Sequence, residues 1–493
     1  MQRLGIVLAG CALVLAAAGQ PVDQVTLPAG RHPRDVHEAA SRVRLAARLG
    51  VTEAALERLY AALAAPDAGT PSAAARADVE RLPVDTDAAR TAWVTALAAA
   101  GPAVLDADLF AAVFDRRIAL NRELPIDDPE RGRTLVLLAF VEDLIRDRRV
   151  QQGLPAAWYD RAGGFLDGDT HDAFAYADGD ILLVLGGSSV SSLITQATTP
   201  QRRFSHALML RIRDGDFRTL ESLIETGAVS YDRERFAKAG INAVQVLRWH
   251  EPAARTAMAR AASDRAQRFV DERRPYDPAM DLGDPRRLFC SELVARAYHE
   301  ASGLPLEAFI PASARVRSDA VLAYLKNIGV RQSVMISPGD LTSSPRLEVV
   351  AEFRDVGSLF RLWELMLMGD VFVERLEAGY RFRPRLWSEL TATLAGTGDL
   401  LLRVPSTIPG IDLSLIPASL TTRALAYLMT QEKILYAVAY REAARLTGMD
   451  ETARMSTVIP WVYRGALSYA IQEHPRLRSV LRPPRRGLFR RGE

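Results

Sequence analysis

The chain has 493 residues, 48% of them apolar and 25% charged, a balance that excludes disorder over the whole length and allows two to four globular domains. Lys and Arg total 62 against 60 for Asp and Glu, a formal charge of +2, so there is no cationic surplus of the kind that holds a phosphate backbone. No nucleic-acid partner is expected.

At the N-terminus, Arg3 precedes an apolar run from Leu4 to Leu15, and Ala16-Ala17-Ala18 supplies the small residues a signal peptidase requires. A run of about 16 apolar residues falls short of the roughly 20 needed to span a bilayer. Residues 1–18 therefore read as an export signal, and an exported, periplasmic or envelope-associated protein is expected. Leu8-Ala9-Gly10-Cys11 also fits a lipoprotein processing site, so anchoring at Cys11 is the alternative. Cleavage near Ala18 leaves a single cysteine, Cys290. A lone thiol in an oxidising compartment is either buried as a small hydrophobe or put to use.

Residues 19–162 form a first region with apolar positions at helical spacing, as in Val51–Tyr60 and Thr134–Ile145, interrupted by a Pro-, Ser- and Asp-containing stretch from Pro66 to Pro83 that reads as a loop. The texture changes at Gly163-Gly164. Ile181–Leu185, ended by Gly186-Gly187, has the length and punctuation of a buried strand, and Ser188–Ala197 reads as a helix. His206–Ile212 and Leu220–Glu225 are the next expected strands, joined by the Arg213–Asp216 turn, with Val244–Trp249 as a fourth. Pro252–Glu272 is a long helical pattern, so the fold class is α+β. From residue 346 the chain becomes helical again, with amphipathic stretches at Leu359–Glu377 and Thr421–Leu446. The arginine-rich tail, Arg476 to Arg491, leaves contact with an anionic membrane surface open.

Chemistry centres on Cys290. The turn-rich Gly283-Asp284-Pro285 gives way near this residue to an amphipathic helix, placing the thiol at a helix N-terminus, where unpaired N–H groups favour a thiolate and can hold an oxyanion. A cysteine nucleophile needs a base. His32, His37, His171, His250, His299 and His474 lie in loops, inside helices or near the tail, whereas His206 alone opens an apolar strand and would be held rigidly. Glu225 and Glu221 share strand parity on the following segment, and either carboxylate is able to face His206 across an antiparallel pair. No HExxH or paired CxxC motif occurs, so neither a metal nor another cofactor is expected.

Gly179-Asp180-Ile181-Leu182, Ser205-His206-Ala207, Ile224-Glu225, Pro275-Tyr276-Asp277 and Phe289-Cys290-Ser291-Glu292-Leu293-Val294, in that order, resemble the permuted papain-like hydrolases of the YiiX type, which group with the NlpC-like peptidases and the lecithin retinol acyltransferases. Ile336–Leu341 resembles the end of such domains. The resemblance implies a circularly permuted papain-like domain over 163–345 with a small antiparallel sheet, flanked by helical regions at 19–162 and 346–493. It also implies Cys290 as nucleophile, His206 as base and Glu225 as the third residue. Arg273-Arg274 stand where related sequences usually carry Gly-Lys. The expected activity is hydrolysis of an amide or ester in a cell-envelope substrate, peptide or acyl. The competing reading is a non-catalytic binding module with a structural cysteine.

Overall fold

The structure is a computed structural model that describes residues 33–482 except 65–72, 101–106, 124–127, 155–157, 161–163, 167–173, 187–194, 200–202, 225, 239–240, 311–313, 327–329, 331, 356–358, 383–435, 437 and 450–458. The export signal, Cys11, His32, His171, Glu225 and the end of the arginine-rich tail therefore lie outside the described residues. Among the described residues no helix is long and apolar enough to cross a membrane.

The first part of the chain is helical: α1 (Pro33–Leu49), α2 (Glu53–Ala64), α3 (Ala73–Arg81), α4 (Asp87–Ala100), α5 (Ala107–Glu123) and α6 (Pro129–Gln151). α6 starts where its sequence dictates. The Asp128 carboxylate caps the Glu130 N–H, and Pro129 sits in the first turn, where a missing N–H costs nothing. α3 occupies much of the stretch expected as a loop. Its Ala-rich composition favours a helix, Val79 is buried, and the Val79 carbonyl accepts from Trp93 Nε1 at 2.8 Å.

An eight-stranded, wholly antiparallel sheet follows, made of β1 (Trp158–Asp160), β2 (Gly164–Leu166), β3 (Ile181–Gly186), β4 (His206–Arg213), β5 (Asp216–Leu223), β6 (Gly227–Asp232), β7 (Ile241–Trp249) and β8 (Leu347–Arg354), in spatial order β2-β1-β8-β7-β3-β4-β5-β6. The four strands expected from sequence supply β3, β4, β5 and β7. β6 and β8 are additional, and β8 follows residue 345, where the domain was expected to close. The short helix α7 (Arg233–Lys238) follows β6, and α8 (Arg255–Asp271) and α9 (Cys290–Ser302) then pack on the sheet.

Alternation along the strands sorts their side chains to two faces. Ile181, Leu183, Ala207, Met209 and Leu247 pack with Leu293, Val294 and Phe269 of the helices, and Leu182, Val184, Leu208 and Val246 form a second core beneath Phe174 and Phe236. The helix α10 (Asp319–Lys326) precedes β8, and after β8 the chain is helical again with α11 (Leu359–Glu377), α12 (Pro460–Glu473) and α13 (Pro475–Val480), of which α11 matches its sequence-derived span. The helical flanks are one body: a single apolar core takes Leu45, Trp93 and Leu144 from the first flank and Trp363, Phe372 and Leu467 from the last. α1 and α12 lie side by side. His37 Nδ1 meets Ser468 Oγ at 3.1 Å, and a Cβ on Gly465 would come within 2.7 Å of the Glu38 Cα.

Candidate active site

Cys290 is the first residue of α9. Phe289, at φ −89° and ψ 170°, is extended, so the chain turns into the helix at the thiol itself, which is 8% exposed. The approach to it is tied down on both sides. The Leu288 carbonyl accepts from Ser222 Oγ of β5 at 2.6 Å, and the Leu288 N–H donates to the Pro275 carbonyl at 3.0 Å. The Asp277 carboxylate accepts from the N–H groups of Ala279 and Asp281, shaping the loop that runs back to Cys290. Gly227 belongs to the same anchor. Its φ is +74°, and a Cβ there would meet the Arg274 carbonyl at 2.4 Å, so only glycine lets β6 start against this segment.

His206 opens β4 opposite Val184 of β3 and its side chain is 23% exposed. The ring and the Cys290 thiol shift each other, and the backbone N–H groups of Ala207 and Ser291 also favour the thiolate. On its other side, His206 Nε2 lies 2.7 Å from Oε2 of Glu221. Register explains the pairing: Glu221 stands opposite Leu208, so His206, two residues earlier on the same face, is its diagonal neighbour. Thr219 Oγ1 donates to Oε1 of Glu221 at 3.1 Å and holds the carboxylate in place. The structure thus brings together Cys290, His206 and Glu221. Glu225 lies outside the described residues, beyond the last residue of β5, Leu223.

The electrostatics of the pair follow from this packing. Burial works against the Cys290 thiolate, but the His206 hydrogen bond and charge, with the two N–H groups, outweigh it and lower the thiol below its usual range. Burial likewise disfavours the His206 imidazolium. Cys290 and Glu221 overcome it and raise the ring to about 10. Both directions favour a thiolate and imidazolium side by side. With Nε2 given to the carboxylate, Nδ1 is the nitrogen left to serve the sulfur.

Glu292, two residues into α9, is a group that sequence reading did not single out. It is fully buried, pairs with Arg296 at 2.6 Å and is pushed up to about 7, chiefly by burial. Its i, i+4 spacing from Arg296 was the available signal. Gly179 and Asp180 sit elsewhere, where the Gly179 carbonyl accepts from Tyr298 Oη and Asp180 pairs with Arg248, steadying the far end of α9. Ile336–Leu341 closes the other flank. Ser337 and Asp340 form a capping box, and the Ile336 carbonyl accepts from Ser291 Oγ. Among the described residues no group of three or more His, Cys, Asp or Glu side chains is placed to hold a metal ion.

Residues 175–351 match the family described as permuted papain-like amidase enzymes, YaeF/YiiX, the C92 family. This segment is a permuted papain-like domain of that family. It takes in β3 to β7, α7 to α10 and most of β8, and leaves α1 to α6 and α11 to α13 outside. No curated protein and no solved structure matches the chain. The family identity makes the domain a cysteine hydrolase of the amidase type in its general character.

Proposed function

We propose that Cys290, His206 and Glu221 form a catalytic triad that hydrolyses an amide or ester bond in a cell-envelope substrate. The observation that carries this is the single ring of His206 held between a thiol at a helix N-terminus and a buried carboxylate 2.7 Å from Nε2. The Cys290 thiolate bonds to the substrate carbonyl carbon, and the C=O electron pair moves onto oxygen, where unpaired N–H groups of the first turn of α9 receive it. Collapse of this adduct breaks the bond to the leaving amine or alcohol, which departs with the proton of the His206 imidazolium. Water then attacks the thioester, His206 takes its proton, and release of the acid restores the thiolate and imidazolium pair. Glu221 fixes the ring orientation and stabilises its charge throughout. It fills the role that the family resemblance assigned to Glu225.

The envelope as site of action rests on the export signal read in residues 1–18, with lipidation at Cys11 as the alternative route to the same compartment. Electrophilic probes test the proposal. A panel of acyl and peptidyl chloromethyl ketones is expected to label Cys290 below pH 8, and Cys290→Ala is expected to keep its circular dichroism spectrum while losing turnover of the matching substrates. A wild-type thiol that reacts only above pH 8, together with a variant that keeps turnover, would return the cysteine to a structural role and favour the binding-module reading.

A further inference from the structure

Between the helical body and the sheet lies a second concentration of charge, unrelated to the triad. Arg117 of α5 donates to Glu142 of α6 and Glu352 of β8, both at 2.6 Å, and both carboxylates are fully buried. Arg354 meets Glu352 at 2.8 Å, and Arg203 meets Asp143 at 2.7 Å. Arg146, fully buried, comes no closer to Glu352 than 3.9 Å. Four guanidinium groups thus share three carboxylates. The hydrogen-bond account is uneven in the same direction. Three nitrogens of Arg146, one of Arg203 and one of Arg354 are buried without an acceptor, while the orphan acceptors are one oxygen each of Glu142, Asp143 and Gln245.

Guanidinium groups do not shed this excess by losing a proton, and a buried cation without a counter-charge is strongly unfavourable. Burial and the neighbouring arginines lower Arg203, and burial lowers Arg146, whereas Glu142 and Glu352 raise Arg117. A cavity of about 50 Å³ adjoins the cluster, lined by Arg117, Arg203, Asn121, Gln245 and Thr342. That is more room than one water molecule needs. Of the residues with orphan donors, Arg203 borders this space, together with Gln245 and its orphan oxygen.

We propose that this cavity binds a small oxyanion, a phosphate- or carboxylate-class group that supplies the missing negative charge between the helical body and the sheet. Arg203 and Arg117 are the charged groups on its wall, beside Asn121, whose Nδ2 donates to Thr342 Oγ1. The Gln245 oxygen, an acceptor without a donor, suits an oxyanion that carries its own O–H, as hydrogen phosphate does. Two sources of such a group exist. One is a free ion. The other is the hydrolase substrate, because Ala207, whose N–H favours the Cys290 thiolate, pairs through Leu183 to Gln245 across two strand spacings of about 5 Å each.

The test uses the full chain. Sodium phosphate at pH 7, against sodium chloride of equal ionic strength, is expected to raise Tm saturably by about 2 °C or more, and sulfate, which lacks a donor, less. Arg203→Gln should lose the response. Asn121→Asp, which brings a carboxylate into the cavity, should raise Tm in chloride and also lose the response, so the prediction survives if Arg203→Gln does not fold. For the substrate source, labelling of Cys290 by succinyl-alanyl chloromethyl ketone is compared with its methyl ester. A preference of about tenfold for the free carboxylate that Asn121→Asp abolishes assigns the anion to the substrate, and a phosphate response without that preference assigns it to a free ion. The proposal is overturned if phosphate and chloride give the same Tm and the probe pair labels equally, or if either response persists in Asn121→Asp. Iodoacetamide labelling of Cys290 in the same samples reports on the triad separately, since a normal thiol reaction beside a negative anion result leaves the catalytic reading untouched.

Discussion

The molecule has two buried ionic centres a few strands apart, and they are built on opposite principles. Around His206, every partner is a group whose proton can move, the ring is partly exposed, and the carboxylate is braced by one hydroxyl. Around Glu352, the cations are all arginines, the central carboxylates are inaccessible, and the pairs join residues as far apart as 117 and 352. Arginine stays charged at any pH the protein meets, so the second centre is suited to permanent attachment of the helical body to the sheet. The first is suited to transfer. A titratable ring and a fixed fork of donors make the difference between a site that reacts and a joint that holds.

The contrast can be broken first at the sulfur. Cys290→Ala should lower turnover by about six orders of magnitude with Tm nearly unchanged, because nucleophile loss in a triad removes the whole covalent route. Glu221→Gln should be about a hundredfold less damaging, since the ring loses its orienting charge but not its place. Its thiol should still alkylate. On the other centre, Glu352→Ala leaves Arg354 buried without its nearest carboxylate and Arg117 with Glu142 alone, so a loss of about 3–5 kcal/mol in denaturant unfolding is expected, with the residual folded protein still reacting at Cys290.

The pH dependence sharpens the comparison further. His206 is raised to about 10, so turnover, which needs the imidazolium to protonate the leaving group, should decline as pH climbs through that value. Cys290 is lowered, so iodoacetamide labelling should persist below the ordinary thiol range and move back up in His206→Ala. Overlaying profiles for the two proteins would separate ring and thiol. The smallest effect is expected from Thr219→Val, which removes one hydroxyl from Glu221. Loss of a hydrogen bond worth about 1 kcal/mol should slow turnover a few-fold without changing the labelling profile.

The positions of Cys290 and His206 were legible because their signals are local: a lone thiol where turns give way to a helix, and a histidine at the first position of an apolar strand. The carboxylate was not, since choosing it requires knowing where β5 ends. The described strand stops at Leu223 and sets Glu221 against His206, while Glu225 lies outside the described residues. β8 escaped notice because Glu348, Glu352 and Arg354 break its apolar pattern. Glu352 and Arg354 are buried against Arg117 of α5 and Asp143 of α6, more than two hundred residues earlier, and Glu348 pairs with Arg255 of α8. In the same way, Ala73–Arg81 lay hidden among prolines and serines until Trp93 and Arg116 reached the carbonyls at its end.

The order of the strands has a consequence for how the protein is made. β8 is the last strand of the hydrolase sheet in sequence but lies inside it, between β1 and β7. α1, near the start of the chain, rests on α12, which is synthesised more than four hundred residues later. A chain emerging from the ribosome or threading through a membrane pore therefore exposes an unfinished sheet and an uncovered first helix until nearly all of it has arrived. Closure of loops this long makes folding late and slow, and it leaves the edge of β7 open until β8 arrives.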